Sequence, residues 1–138
     1  MLLAVLSSIA LGGCNSITGE VVTTPPPSPQ LEINNLSPSE VNVMVSASSY
    51  PIHFIDVRTP EEFAGGHIDD AINIDFYSPD FENNIDQLDK NAFYIVYCRT
   101  GNRSAEASDI MLRHGFMHIT NMTGGITDWI DAGLPVNK

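Results

Sequence analysis

A strand that passes into a helix through a six-residue connection is the feature that most constrains this chain. Phe93 to Tyr97 (FYIVY) is apolar, β-branched and aromatic, bounded by polar residues, and reads as a buried strand. From Ser104 to His114, the residues Ala107, Ile110, Met111 and His114 recur at three- and four-residue spacing. That pattern predicts an amphipathic helix, and Gly115 closes it. Between the two stands Cys98-Arg99-Thr100-Gly101-Asn102-Arg103. A cysteine that ends a strand and faces a helix N-terminus lies where unpaired N–H groups and the helix dipole favour an anion. Two arginines in the same turn add positive charge, so the thiol is expected to ionise more readily than a free cysteine. A lone cysteine is more usually a buried, inert thiol. Arg99 and Arg103 weigh against that here, because arginine is costly to bury without an anionic partner.

The flanking sequence repeats the strand–helix alternation. Leu31 to Asn34 reads as a short strand, and Ser37-Pro38-Ser39-Glu40 as a capping box that starts a helix reaching about Ala47. Ile52 to Val57 is apolar nearly throughout, as a strand buried on both faces would be. Thr59-Pro60-Glu61-Glu62 repeats the capping grammar for a short helix ended by Gly65-Gly66. Ala71 to Ile74 is a third strand, Ser78-Pro79 starts a helix to about Leu88, and His118 to Asn121 is the last strand. Thr123-Gly124-Gly125 turns into a final helix through Trp129 to Ala132, stopped by Gly133. The alternation predicts an α/β fold, a mostly parallel sheet of about five strands with helices on both faces. In such sheets the ligand crevice lies beyond the carboxyl ends of the strands. Cys98 follows one such end, and Asp56-Val57-Arg58 closes another.

At 138 residues the chain has room for one domain with a modest core. A formal charge of −11 argues against a nucleic-acid partner, since no basic surface is available for phosphate contacts. The same acidity repels small anions at long range. An anionic substrate must be drawn in by the local arginines, through a field screened over about 8 Å at physiological salt.

Residues 1–30 read as a leader and a spacer outside the folded domain. Leu2 to Leu11 has about the length of a signal-peptide core and is too short to span a bilayer. It ends in Leu11-Gly12-Gly13-Cys14, which resembles a bacterial lipoprotein box. The resemblance implies cleavage of residues 1–13 and lipidation of Cys14, an anchor to the bacterial cell envelope on its periplasmic side. Asn15 after the lipidated cysteine favours the outer membrane in a Gram-negative host. No Lys or Arg precedes the apolar run, a departure from the usual pattern that points to a start upstream or a truncated chain. Residues 14–30, with Pro25-Pro26-Pro27-Ser28-Pro29, form a tether that would hold a domain of residues 31–138 roughly 25–50 Å from the membrane. Cys14 and Cys98 are the only cysteines. With Cys14 lipidated, no disulfide framework exists, and an exported free thiol needs a function or is an oxidation liability.

The run CRTGNRS, with an upstream IDVRTPEEFAGGHI and a downstream GGITDW, resembles a single-domain rhodanese, of the sulfurtransferase family, over about residues 31–138. The resemblance implies that Cys98 accepts a sulfane sulfur from a small sulfur-containing anion such as thiosulfate, as a persulfide, and passes it to a thiol or cyanide. It implies a substrate cradle formed by Arg99, Thr100, Gly101, Asn102, Arg103 and Ser104, with Arg58 at a neighbouring strand end. No metal or organic cofactor is required, and a lone domain of this kind is expected to be a monomer. His53, His114 and His118 show no metal-ligand spacing with the cysteine or each other.

Several residues have two readings. Arg58 supports an anionic substrate or makes an ion pair with Asp56 or Glu62 that braces the loop. Asp56 is the more structural residue of the pair. His67 matches a family position that packs and hydrogen-bonds near the sheet, with a direct chemical role the lesser reading. Trp129 reads as core, and Glu61-Glu62 and Asp69-Asp70 as solvated faces and turns. Two other functions compete with sulfur transfer: a non-catalytic binding or redox-sensing module, and a phosphatase or arsenate reductase. Only four residues separate Cys98 from Arg103, whereas fold relatives acting on phosphate or arsenate carry one more. The shorter loop favours sulfur.

Overall fold

In the computed structural model, which describes residues 31–138, strands and helices alternate along the chain without exception. They are β1 (Ile33–Leu36), α1 (Pro38–Ala47), β2 (Ile52–Asp56), α2 (Pro60–Ala64), β3 (Ile72–Asn73), α3 (Phe81–Ile85), β4 (Phe93–Tyr97), α4 (Asn102–Arg113), β5 (His118–Met122) and α5 (Gly125–Asp131). The leader, Cys14 and the proline-rich tether lie outside the described residues. The sheet runs β1-β5-β4-β2-β3, and every pairing is parallel.

Period-two alternation explains why helices cover both faces. Tyr94, Val96 and then Cys98 turn to one face, with Ile55, Val57, Ala107, Met111 and Phe116. Ile95 and Tyr97 turn to the other, with Phe54, Val41, Met122, Ile126 and Trp129. Thus α3 and α4 close the first face and α1 and α5 the second. Central β4 is flanked on both edges and covered on both sides, and Ile95, Val96 and Tyr97 have no solvent exposure. Each such aliphatic side chain contributes about 1.5–3 kcal/mol by leaving water. The carboxyl ends of all the strands point one way, so Cys98, Val57-Arg58 and Thr123-Gly124 come to one rim.

Both capping boxes form: Ser37 with Glu40 at the start of α1, and Thr59 with Glu62 at the start of α2. Three elements differ from expectation by two residues or more at a boundary. Strand β1 begins at Ile33 and extends to Leu36, because its register is set by pairing with Ile119–Met122 of β5 rather than by its own composition. Helix α3 is far shorter than the Ser78–Leu88 span predicted. The Ser78 hydroxyl accepts from the Asp80 N–H at 3.2 Å, and the Phe81 N–H returns to the Ser78 carbonyl. Ser78-Pro79 therefore forms a turn, and helix starts only where Phe81 and Ile85 can be buried. Helix α4 starts at Asn102, two residues early, because Gly101 at φ 106° swings the chain directly into it. Strand β2 is buried from Phe54 to Asp56 but not at His53, which is exposed.

Candidate active site

The loop between β4 and α4 wraps its backbone around the Cys98 sulfur. The Gly101 N–H donates to Sγ at 3.1 Å. The left-handed conformation of Gly101 aims that bond, and a Cβ there would stand 3.1 Å from the Gly124 nitrogen. The Ser104 hydroxyl donates to the Gly101 carbonyl at 3.1 Å and also stands within reach of the sulfur. Burial of the thiol, 1% exposed, opposes its ionisation. The Ser104 hydroxyl and the backbone N–H groups of Ser104, Gly101 and Thr100 together outweigh burial and hold its pKa below the ordinary thiol value. Hydrogen bonds are the largest influences that lower this pKa, and the Arg103 charge and the Cys98 thiolate also favour one another.

Helix α5 fixes the outer side of the same loop. The Ile126 N–H donates to the Cys98 carbonyl at 2.9 Å and the Thr127 N–H to the Arg99 carbonyl at 3.1 Å. With its carbonyls held outward, the loop can turn its amides inward. This contact needs glycine at position 125, where φ is 59° and a Cβ would lie 2.5 Å from the Arg99 carbonyl and the Cys98 oxygen. Gly125→Ala is expected to cost about 1–3 kcal/mol, the range for an over-determined strained site. Urea denaturation should give an earlier midpoint, and the displaced cradle should make Cys98 less reactive to thiol reagents at neutral pH.

Of the three arginines assigned to substrate, two are committed elsewhere. Arg103 reaches across to α2, Nη1 and Nη2 donating to the two Glu62 carboxylate oxygens at 2.8 and 2.9 Å. Glu62 also accepts from the Thr59 N–H at 3.1 Å, so one carboxylate closes the cap of α2 and ties it to the first turn of α4. Glu62 was expected on a solvated face; its partner lies 41 residues away, beyond any local spacing rule. Arg58 forms the ion pair with Asp56: Nε donates to Asp56 Oδ1 at 2.9 Å and Nη2 to Oδ2 at 2.6 Å. Nη2 also donates to the Gly66 carbonyl at 2.8 Å, bracing the turn after α2. Burial disfavours the charged guanidinium, and Asp56 more than offsets that, raising the Arg58 pKa. Arg99 is exposed and makes no side-chain hydrogen bond or ion pair among the described residues.

Arg103 lowers the Glu62 pKa from the usual 4.5 to about 2, against a smaller opposing effect of burial. A depressed folded-state pKa gives stability that is complete above about pH 4.5 and lost as pH falls towards 2. The contribution is on the order of 2 kcal/mol once solvent screening of a partly exposed pair is allowed for. Denaturation midpoints of the parent and of Glu62→Gln should therefore differ at pH 6 and converge between about pH 4.5 and pH 2. A constant difference over that window would contradict the ion-pair account.

His67 takes the packing position: its ring stacks on Phe63 at 3.7 Å, Nδ1 lies 3.0 Å from the Phe63 carbonyl, and its backbone pairs with Asn137. Thr100 and Asn102 are exposed at the mouth of the loop, and Ser104 is buried beneath it. Tyr77, also exposed, lies over the Arg103 guanidinium at 5.5 Å. A cleft of about 370 Å³ opens beside the loop, between α2 and α5, with Arg99, Glu62, Gly66, Ile126 and Ile130 among its lining residues. Among the described residues no group of three His, Cys, Asp or Glu side chains is arranged to hold a metal. The arrangement sets a sulfur held by backbone N–H groups next to Arg99, which lines the cleft together with Lys138.

The family model described as Rhodanese-like domain matches residues 37–132. The protein HIGH ARSENIC CONTENT 1, mitochondrial, of Arabidopsis thaliana is 36% identical over 95 residues, which cover 62% of this chain and 56% of that one. Thiosulfate sulfurtransferase 16, chloroplastic, of the same plant is 34% identical over 110 residues, covering 71% of this chain and 92% of that one. This chain thus spans little more than half of the first relative and nearly all of the second. Among solved structures, a rhodanese-related protein from Thermoplasma volcanium superposes with a TM-score of 0.65 at 29% identity, covering 75% of this chain and 97% of that one.

Proposed function

This chain belongs to the rhodanese-like domain family, and from that premise we propose that it is a sulfurtransferase that carries sulfane sulfur as a persulfide on Cys98. The Cys98 thiolate attacks the outer sulfur of a thiosulfate-type donor. The donor S–S bond breaks, and sulfite leaves with the electron pair. The new persulfide anion keeps the N–H groups of Thr100, Gly101 and Ser104 as its donors. Arg99, rather than Arg103 or Arg58, supplies the side-chain cation for the donor's oxyanion. A thiol or cyanide then removes the outer sulfur. The observation that carries this reading is the 3.1 Å bond from the Gly101 N–H to Sγ, inside a loop that turns its amides toward that one atom. A relative of nearly the same length named a thiosulfate sulfurtransferase supports it.

Incubation with thiosulfate should add the mass of one sulfur atom to the protein, on the peptide containing Cys98, and cyanide should remove it. An unmodified protein would overturn the reading and favour a binding or sensing module. The six-residue loop keeps the phosphatase and arsenate reductase readings behind it. A variant with one residue inserted between Cys98 and Arg103 should gain aryl phosphate hydrolysis relative to the parent; equal rates would remove the size argument. The proposal extends to location: lipid on Cys14 holds a monomeric domain on the periplasmic side of a bacterial envelope. Cys14→Ser should then move the protein from the membrane pellet to the soluble fraction.

A further inference from the structure

Six Lys and Arg residues stand against 17 Asp and Glu in this chain, so each cation near Cys98 weighs on how its loop holds an anion. Arg103 is one of them. It sits in the first turn of α4, and its charge and the Cys98 thiolate favour one another. Its two terminal nitrogens nevertheless grip Glu62, one on each carboxylate oxygen, at 2.8 and 2.9 Å. That two-pronged contact is the one a guanidinium makes with a substrate oxyanion. The Tyr77 ring lies against the same guanidinium at 5.5 Å and leaves the gripping nitrogens to Glu62. The pair is within reach of solvent, the Arg103 side chain being 17% exposed and that of Glu62 29%. A carboxylate placed in this way does more than brace α2 against α4. It competes, from inside the protein, with any oxyanion that enters the loop.

We propose that Glu62 acts through Arg103 as a positioning residue that sets the oxyanion affinity of the Cys98 loop: it occupies the Arg103 fork and so weakens the hold on oxyanions from solution. The inference deepens the sulfurtransferase reading, in which a donor with a sulfonate-like head enters and sulfite leaves. Arg99, exposed and without a side-chain partner among the described residues, draws the donor in. Were the Arg103 fork open as well, sulfite would be held by two guanidinium groups and would leave slowly. With Glu62 in that fork, the leaving group stays weakly bound. Other tetrahedral dianions, such as sulfate, lose affinity by the same means.

A carboxylate that only braces and one that competes predict opposite signs for Glu62→Gln. Glutamine removes the charge and keeps an oxygen for the Thr59 N–H, which Glu62 accepts at 3.1 Å. The first measurement needs no turnover. Cys98 is alkylated with iodoacetamide, a neutral reagent, at rising sulfate and constant ionic strength, and the half-protecting sulfate concentration is read. It should fall about fivefold in Glu62→Gln, the scale on which one partly screened charge acts on a nearby anion. It should return to the parent value or above in Glu62→Gln/Arg103→Met. The alkylation rate without sulfate divides out, so a change in thiol ionisation does not enter. The second measurement is steady-state sulfur transfer from thiosulfate to cyanide. Glu62→Gln should lower the KM for thiosulfate about threefold without raising kcat, the split expected when ground-state binding alone improves. Sulfite should inhibit that variant at a lower concentration than the parent. Melting curves check that each variant is folded at the assay temperature. A half-protecting concentration unchanged or raised in Glu62→Gln, or lowered equally without Arg103, would overturn the role of Glu62 and leave the persulfide standing. Tighter sulfate protection in a protein that takes no sulfur from thiosulfate would overturn the persulfide reading and leave the role of Glu62 in place.

Discussion

Thiocyanate formation from thiosulfate and cyanide should fall by on the order of 10⁴-fold or more when Cys98 becomes serine, the scale on which removal of a covalent nucleophile acts. The amide nest around Sγ can stabilise a thiolate because a thiol titrates only slightly above neutrality to begin with. A hydroxyl in the same place stays protonated, since no set of neutral N–H donors lowers its pKa by the amount required. It also has no way to form the S–S bond on which transfer depends. The fold should survive. The side chain is small, and a serine oxygen can still accept from the Gly101 N–H that now meets sulfur at 3.1 Å. A net change within about 1.5 kcal/mol is expected from exchanging one hydrogen bond for another. The measurement is a cyanide-dependent thiocyanate assay on both proteins, beside their thermal melts. Equal thiocyanate from the two would remove Cys98 from the chemistry.

What the sequence revealed about this site divides by range. Strand β4, the helix after it and the loop between are written in adjacent residues, and Phe93–Tyr97 forms the strand with the expected bounds. The capping boxes at Ser37 and Thr59 are likewise local, since each closes over three residues. The charge pairing was legible only where it is local: Arg58 finds Asp56 two residues away, an alternative that the sequence already offers. Arg103 finds Glu62 across 41 residues, a pairing the sequence did not offer: Arg103 was assigned to substrate, and Glu62 to a solvated face or to Arg58. Gly124-Gly125 was legible as a turn but not as the backbone contact that shapes the Cys98 loop, because that contact joins two segments only when the sheet has formed. The short α3 failed for a related reason. Ser78-Pro79 carries the grammar of a helix start, yet the burial of Phe81 and Ile85 decides where helix pays off.

Arg58→Met should destabilise the fold by about 3–5 kcal/mol, the cost of breaking a buried ion pair from one side. Asp56 has no solvent exposure, and the Arg58 side chain is only 7% exposed. The carboxylate accepts the Arg58 backbone N–H at 3.0 Å as well as the guanidinium, so removing the side chain leaves a buried charge with only that N–H and the Tyr97 hydroxyl beside it and no countercharge. Met matches the aliphatic stem of arginine, which restricts the loss to the charge and the bond to the Gly66 carbonyl. Asp56→Leu combined with Arg58→Met should recover a large part of the deficit, because an apolar pair of similar volume carries no desolvated charge. Urea denaturation of the parent, the single variant and the double variant reads all three. A single-variant loss below about 1 kcal/mol would mean that the pair behaves as a solvated surface bridge. The carboxyl end of β2 would then be held by its sheet bonds, and the rim around Cys98 would owe its shape to α5 and the Glu62–Arg103 pair alone.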